Sequence, residues 1–122
     1  MQYMVTGSAR DSLISQMRKG ALEYCVLALV RDRERYGYDL VRTLSEVDGM
    51  GTSDGTIYPL LSRLRRDGLV NTTWHESTGG PPRRYYSITS EGQSALALFN
   101  EEWRRFRDGV THLLEDNHAQ HD

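Results

Sequence analysis

The chain has 122 residues, 38% of them hydrophobic and 26% charged, with a formal net charge of −2. That length suits one domain with a modest core, and no apolar run approaches the roughly 20 residues that a membrane span needs. The opening MQYMVTGSARD has no cationic segment followed by an apolar one, and the single cysteine has no internal partner, so neither a secretory leader nor a disulfide scaffold is expected and a cytoplasmic location is inferred.

Residues 1–19 read as an N-terminal arm and a short helix, with Leu13, Ile14 and Met17 at helical spacing. Beyond Gly20, the apolar residues Leu22, Cys25, Val26, Leu29 and Val30 predict a buried helix, in which Cys25 is read as a packing thiol and not as a redox sensor. Tyr36-Gly37-Tyr38 interrupts the pattern. Leu40, Val41, Leu44 and Val47 resume it, giving a second core helix over about 38–47. The stretch DGMGTSDG holds too much glycine to continue as helix. Ile57, Leu60, Leu61 and Leu64 then form the i, i+3, i+4, i+7 stripe of a third helix, starting near Asp54 or Gly55 and closed by Asp67-Gly68 with glycine in the left-handed capping position.

From Val70 the period shortens to that of a strand. Val70, Thr72 and Trp74 alternate with Asn71, Thr73 and His75, and after STGGPP the residues Arg84, Tyr86 and Ile88 alternate with Arg83, Tyr85 and Ser87. This predicts a two-strand hairpin with a six-residue tip. Thr89 or Ser90 can cap a last helix over 90–116, where Leu96, Phe99, Trp103, Phe106, Val110 and Leu113 recur at coiled-coil intervals. Residues 117–122 read as a disordered tail. The fold class expected is mainly α with a small β-hairpin: a winged helix-turn-helix over 20–89 followed by a C-terminal dimerisation helix.

The charge distribution is uneven. Residues 53–88 hold five basic side chains against three acidic, whereas residues 89–122 hold three against seven. A positive middle and a negative end suit nucleic-acid binding by the middle alone. With its apolar stripe turned inward, the third helix presents Thr56, Tyr58, Pro59, Ser62, Arg63 and Arg66: short hydrogen-bonding groups first, then arginines for the DNA backbone. In the wing, Gly79 and Gly80 allow close backbone approach, while Arg83 and Arg84 offer charge to phosphates or a minor groove. Tyr85 and Tyr86 face opposite ways, so one belongs to the core and the other to the DNA backbone. Tyr38, at the start of the second helix, is a candidate phosphate contact at a positive dipole end, with Asp39 alongside.

The seam of the last helix, together with Leu13 and Met17, is assigned to a homodimer interface that sets two reading helices about 34 Å apart on a palindromic operator. Phe99 and Trp103 are also the candidates to line a pocket for a small aromatic effector. No cofactor or metal is expected.

The strings GALEYCVLALV, YGYDLVRTLSE, GTIYPLLSRLRRDGLV and GPPRRYYSITSEG, in this order over about residues 20–92, resemble the PadR family of bacterial transcription regulators. The resemblance implies an N-terminal winged helix, a C-terminal dimerisation helix and a usual role as a repressor, often of detoxification or efflux genes. It also implies that Thr56, Tyr58, Pro59 and Arg63, with the wing from Gly79 to Tyr85, face DNA. The single long helix after the wing is similar to the short-tailed subgroup, which lacks a separate effector domain. Arg65-Arg66 departs from the pattern, standing where the family often carries an acidic residue.

Two rival classes weigh against this. An enzyme would need more than His75, His112, His118 and His121, which no serine, paired-carboxylate or phosphate-loop pattern accompanies. His112, His118 and His121 with Glu115 and Asp116 have metal-binding chemistry, but they sit in what reads as a frayed polar end. The other rival is a winged helix that binds protein and not DNA, which would tolerate loss of its exposed arginines.

Overall fold

In the computed structural model, which describes residues 7–116, the apolar stripes settle the architecture. The order is α1 (Gly7–Arg18), α2 (Leu22–Leu29), β1 (Arg35–Tyr36), α3 (Gly37–Ser45), α4 (Asp54–Arg66), β2 (Val70–Ser77), β3 (Gly80–Ile88) and α5 (Ser90–Asp116). Leu22, Val26 and Leu27 of α2, Leu40 and Leu44 of α3, and Ile57, Leu60, Leu61 and Leu64 of α4 close on one another as the core. Each such side chain contributes roughly 1.5–3 kcal/mol when fully removed from water. Val70 and Tyr86 carry the core onto the hairpin, and Leu96 carries it onto α5. Cys25 packs against this cluster, and burial pushes its thiol up from the ordinary value, as suits a packing thiol.

Three junctions fix the elements relative to one another. Helix α4 ends in a Schellman motif: Leu69 donates to the Leu64 carbonyl at 2.9 Å, Gly68 donates to Arg65 at 3.1 Å, and Gly68 has φ +77°. Thr89 then takes the cap of α5 for itself, accepting from the Gly92 amide at 2.9 Å, while its hydroxyl donates to the Gly68 carbonyl at 2.7 Å. One side chain thereby ties the start of α5 to the end of α4. Gly92 sits so close that a methyl there would meet the Leu69 carbonyl oxygen, and Ile88 Cγ1 at 2.7 Å.

Four details depart from the sequence reading. The hairpin belongs to a three-stranded antiparallel sheet of order β1-β3-β2, in which Arg35 pairs with Tyr86 and Tyr36 with Tyr85. A two-residue strand is too short to show a period. The hairpin tip is Thr78-Gly79 alone, not six residues: Ser77 faces Gly80, Gly79 turns at φ +76°, and an irregularity between His75 and Ser77 absorbs the prolines into β3. Helix α1 is a full 12 residues, longer than a short helix around Leu13–Met17. Val47 lies beyond the end of α3 and is 53% exposed, so it is not part of the core stripe. Among the described residues, no helix is long and apolar enough to cross a membrane. The expected tail at 117–122, with His118 and His121, lies outside the described residues.

Replacing Gly92 by alanine should destabilise the fold by roughly 1–3 kcal/mol, because the backbone carbonyl it meets cannot yield as a side chain can. Chemical denaturation of the variant checks this.

Candidate nucleic-acid interface

Helix α4 begins where the sequence places it. Ser53 is extended at φ −103°, ψ 165°, and its carbonyl accepts from the Thr56 and Ile57 amides, both at 3.0 Å. Pro59 lies inside the helix, where its missing amide leaves the Gly55 carbonyl without its usual donor. Thr56, Tyr58, Pro59, Ser62, Arg63 and Arg66 are all exposed, as the stripe Ile57, Leu60, Leu61 and Leu64 requires.

Tyr58 is 44% exposed, and its ring lies against the backbone of Gly37, the first residue of α3. A methyl on Gly37 would stand 2.6 Å from the Tyr58 hydroxyl oxygen. Burial, then Asp54, then Tyr86 and Tyr36, hold the Tyr58 hydroxyl above the ordinary tyrosine range. A side chain at position 37 would require the half-exposed Tyr58 ring to shift from this place. Tyr38, one residue on, is 57% exposed. Asp39 is engaged otherwise than as a lone dipole partner: Arg35 and Arg42 each reach it at 3.2 Å. Arg35 also donates to the Leu29 carbonyl at 2.8 Å, closing the end of α2 onto β1.

The wing arginines separate onto two faces. Trp74 pairs with Arg84, and His75 with Arg83. Arg84 lies over the Trp74 ring at 4.7 Å, with its Nε buried and without a hydrogen-bond partner. Arg83 lies over the Tyr36 ring at 4.8 Å. Among the described residues neither arginine makes an ion pair; Arg83 is exposed, while Arg84 is half-buried. Tyr86 is the core member of the tyrosine pair at 6% exposure, and Tyr85 is half-buried between Tyr36 and His75, with ring centroids at 5.3 and 4.5 Å. Gly79 and Gly80 are exposed at the tip.

The structure thus brings Tyr58, Gly37, Tyr36 and Arg83 into one run of contacts, with Tyr38 beside it at 6.2 Å from Tyr36 between ring centroids. Arg84 stands apart, on the other face of the wing. Arg63 is already paired with Glu23 at 3.3 Å, and Arg66 stands 3.9 Å from Asp67, so these two are less free than their positions suggest. Sequence reasoning did not single out Tyr36 or Trp74. The alternation of the strands marks Trp74 as facing Arg84, but nothing local marks Tyr36.

The seam residues divide. Leu96 is turned into the core of its own chain, at 8% exposure, and Phe99 stacks on Tyr24 at 4.2 Å. Leu13, Met17, Trp103, Phe106, Val110 and Leu113 are between 40% and 71% exposed. A groove of about 390 Å³ beside them is lined by Met17, Cys25, Met50, Phe99 and Trp103, among others.

An inward-facing helix pair, an exposed polar first turn on the second helix and an arginine-bearing hairpin define a winged helix-turn-helix protein. The Transcriptional regulator PadR-like family matches residues 26–98, and the chain belongs to that family. It is 35% identical over 81 residues to a transcriptional regulator of Mycobacterium tuberculosis, covering 66% of this chain and 74% of that one. Its fold is similar to that of a PadR family transcriptional regulator from Eggerthella lenta, with TM-score 0.79 and 36% identity over 88% of this chain and 94% of the other. A PadR-like transcription factor from Bacteroides fragilis is 41% identical with TM-score 0.69, covering 84% and 98% of the two chains. These three relatives are transcription regulators.

The raised Tyr58 hydroxyl sets a direction for alkaline behaviour. A group whose pKa is higher folded than unfolded adds stability below the unfolded value and loses it as pH climbs through the folded one. Tyr58→Phe should therefore leave stability near neutrality unchanged and lessen its loss above the ordinary tyrosine range, and absorbance titration should show one late-ionising tyrosine fewer.

Proposed function

We propose that the chain is a homodimeric repressor that reads a palindromic DNA operator with α4 and the wing, and that a small aromatic ligand releases it. In this reading residues 20–89 are the DNA-binding unit and 90–116 the dimerisation helix. The observation that carries it is the run of contacts from the exposed Thr56, Tyr58 and Pro59, through the buried Gly37 and its neighbour Tyr36, to the exposed Arg83, with two wing arginines that make no ion pair among the described residues. Short polar groups suit base edges, and the arginines suit phosphates.

Dimerisation is supported by the apolar face that one chain leaves open. Trp103, Phe106, Val110 and Leu113 run along one side of α5, and Leu13 and Met17 are exposed on α1. A second copy of the same face covers such a seam, in the manner of a coiled coil. The groove beside Phe99 and Trp103 is apolar and aromatic, which suits a planar aromatic effector. Its wall includes Met50, in the segment between α3 and α4, so a ligand there would bear on the approach to the reading helix.

Footprinting on DNA upstream of the protein's own gene is the primary test. A protected, two-fold symmetric site is expected, and protection of no site would leave the protein-binding winged helix as the better reading. Tyr58→Ala should keep the fold yet lose preference for that site over random DNA, measured by competition binding. In analytical ultracentrifugation the wild type should sediment as a dimer and Phe106→Glu as a monomer, since a carboxylate in the seam carries a desolvation cost of several kcal/mol.

A further inference from the structure

We propose that Tyr36 is a positioning residue for DNA binding: its ring is the shared support that fixes the wing arginine Arg83 at a set distance from the α4 residue Tyr58. The inference rests on the DNA-binding reading above and names the part that sets its geometry.

Tyr36 ends β1 and stands immediately before α3, at the capping position, with φ −99° and ψ 166°. Tyrosine has no side-chain group that caps a helix there, and no such hydrogen bond is made. Serine, threonine, aspartate or asparagine would serve local helix stability better, so the choice of residue points to another use of the side chain. That use is visible in its neighbours. The Arg83 guanidinium lies over the ring at 4.8 Å, and Tyr85 and Tyr38 flank it at 5.3 and 6.2 Å between ring centroids. Across the strands from Arg83, His75 holds Glu34 at 2.6 Å, which engages the carboxylate of that loop. Arg83 is therefore held by the face of an aromatic ring. Its N–H groups stay available to a phosphate, because a ring face orients a guanidinium without using its donors.

The next residue in the chain completes the link. Gly37 bears the Tyr58 ring against its backbone, so two successive residues, joined by one planar peptide, seat a wing side chain and a reading-helix side chain. The second wing stack has no such reach. Arg84 lies on Trp74, its cross-strand neighbour in the same hairpin, so that pair moves with the wing and cannot register it against α4.

The test uses full-length protein and the duplex recovered by footprinting, with affinity read by fluorescence anisotropy over a salt series. Position 36 is changed to phenylalanine and then to its mono-, di- and trifluorinated analogues, which keep the ring's shape while draining charge from its face. Tyr36→Phe should bind within about twofold of wild type, and the trifluorinated ring about three- to fivefold more weakly, the range of an exposed cation–π contact. In an Arg83→Ala background the same series should be flat. Constant affinity along the fluorinated series, or an equal fall in both backgrounds, would overturn the role of Tyr36 while leaving DNA binding intact. Absence of salt-dependent binding by the wild type would remove the DNA reading and this inference with it. Because the ring's size is preserved, misfolding does not enter the comparison, and matching circular dichroism spectra verify that.

Discussion

The bare α-carbon of Gly37 is the constraint on which the functional surface depends. A side chain there would occupy the place of the Tyr58 ring, with a methyl already 2.6 Å from its hydroxyl oxygen. Leu40 and Leu44 of α3 and Ile57, Leu60, Leu61 and Leu64 of α4 share the core, and the Tyr58 ring lies at its edge against the start of α3. The same contact leaves Tyr58 half-exposed, with its ring end against the Gly37 backbone. Tyr36, next in the chain, extends the constraint into the sheet.

The arginines fall into two groups by what holds them. Arg35 is structural: with 16% of its side chain exposed, it bonds the Leu29 carbonyl and Asp39, knitting α2, β1 and α3. Arg63 is paired with Glu23 at the surface, where an ion pair contributes only about 0–1 kcal/mol and yields readily to a stronger anion. Arg83 and Arg84 are instead held over rings. In a protein of net charge −2, this aromatic support holds a positive group on each face of the wing without pairing it to an acid. The acidic excess of residues 89–122 follows the wing in the sequence.

Helix α5 serves two environments in succession. Its first turns are fixed by Thr89, Gly92 and Leu96, and Phe99 extends the core through its stack on Tyr24. Past Phe99 the aromatic series runs on through Trp103 and Phe106, at 6.1 Å between successive ring centroids, into the open. A helix anchored at its first turns in this way carries its apolar outer half beyond the core of its own chain.

Periodicity in the sequence determined the core helices, the Asp67-Gly68 stop, the hairpin and the long final helix, because each depends on neighbours within a few turns or one strand partner. The exposed set on α4 followed from the same stripe, and the alternation of β3 separated Tyr86 from Tyr85. Tertiary structure alone decided that Arg63 faces Glu23, forty residues away, that Leu96 belongs to the core and not to the open seam, and that Arg83 rests on Tyr36. It also decided the short tip and the strand at Arg35–Tyr36. The physical reason is common to all of these: periodic patterns report which side of an element avoids water, whereas the identity of a contact across elements depends on how those elements pack together.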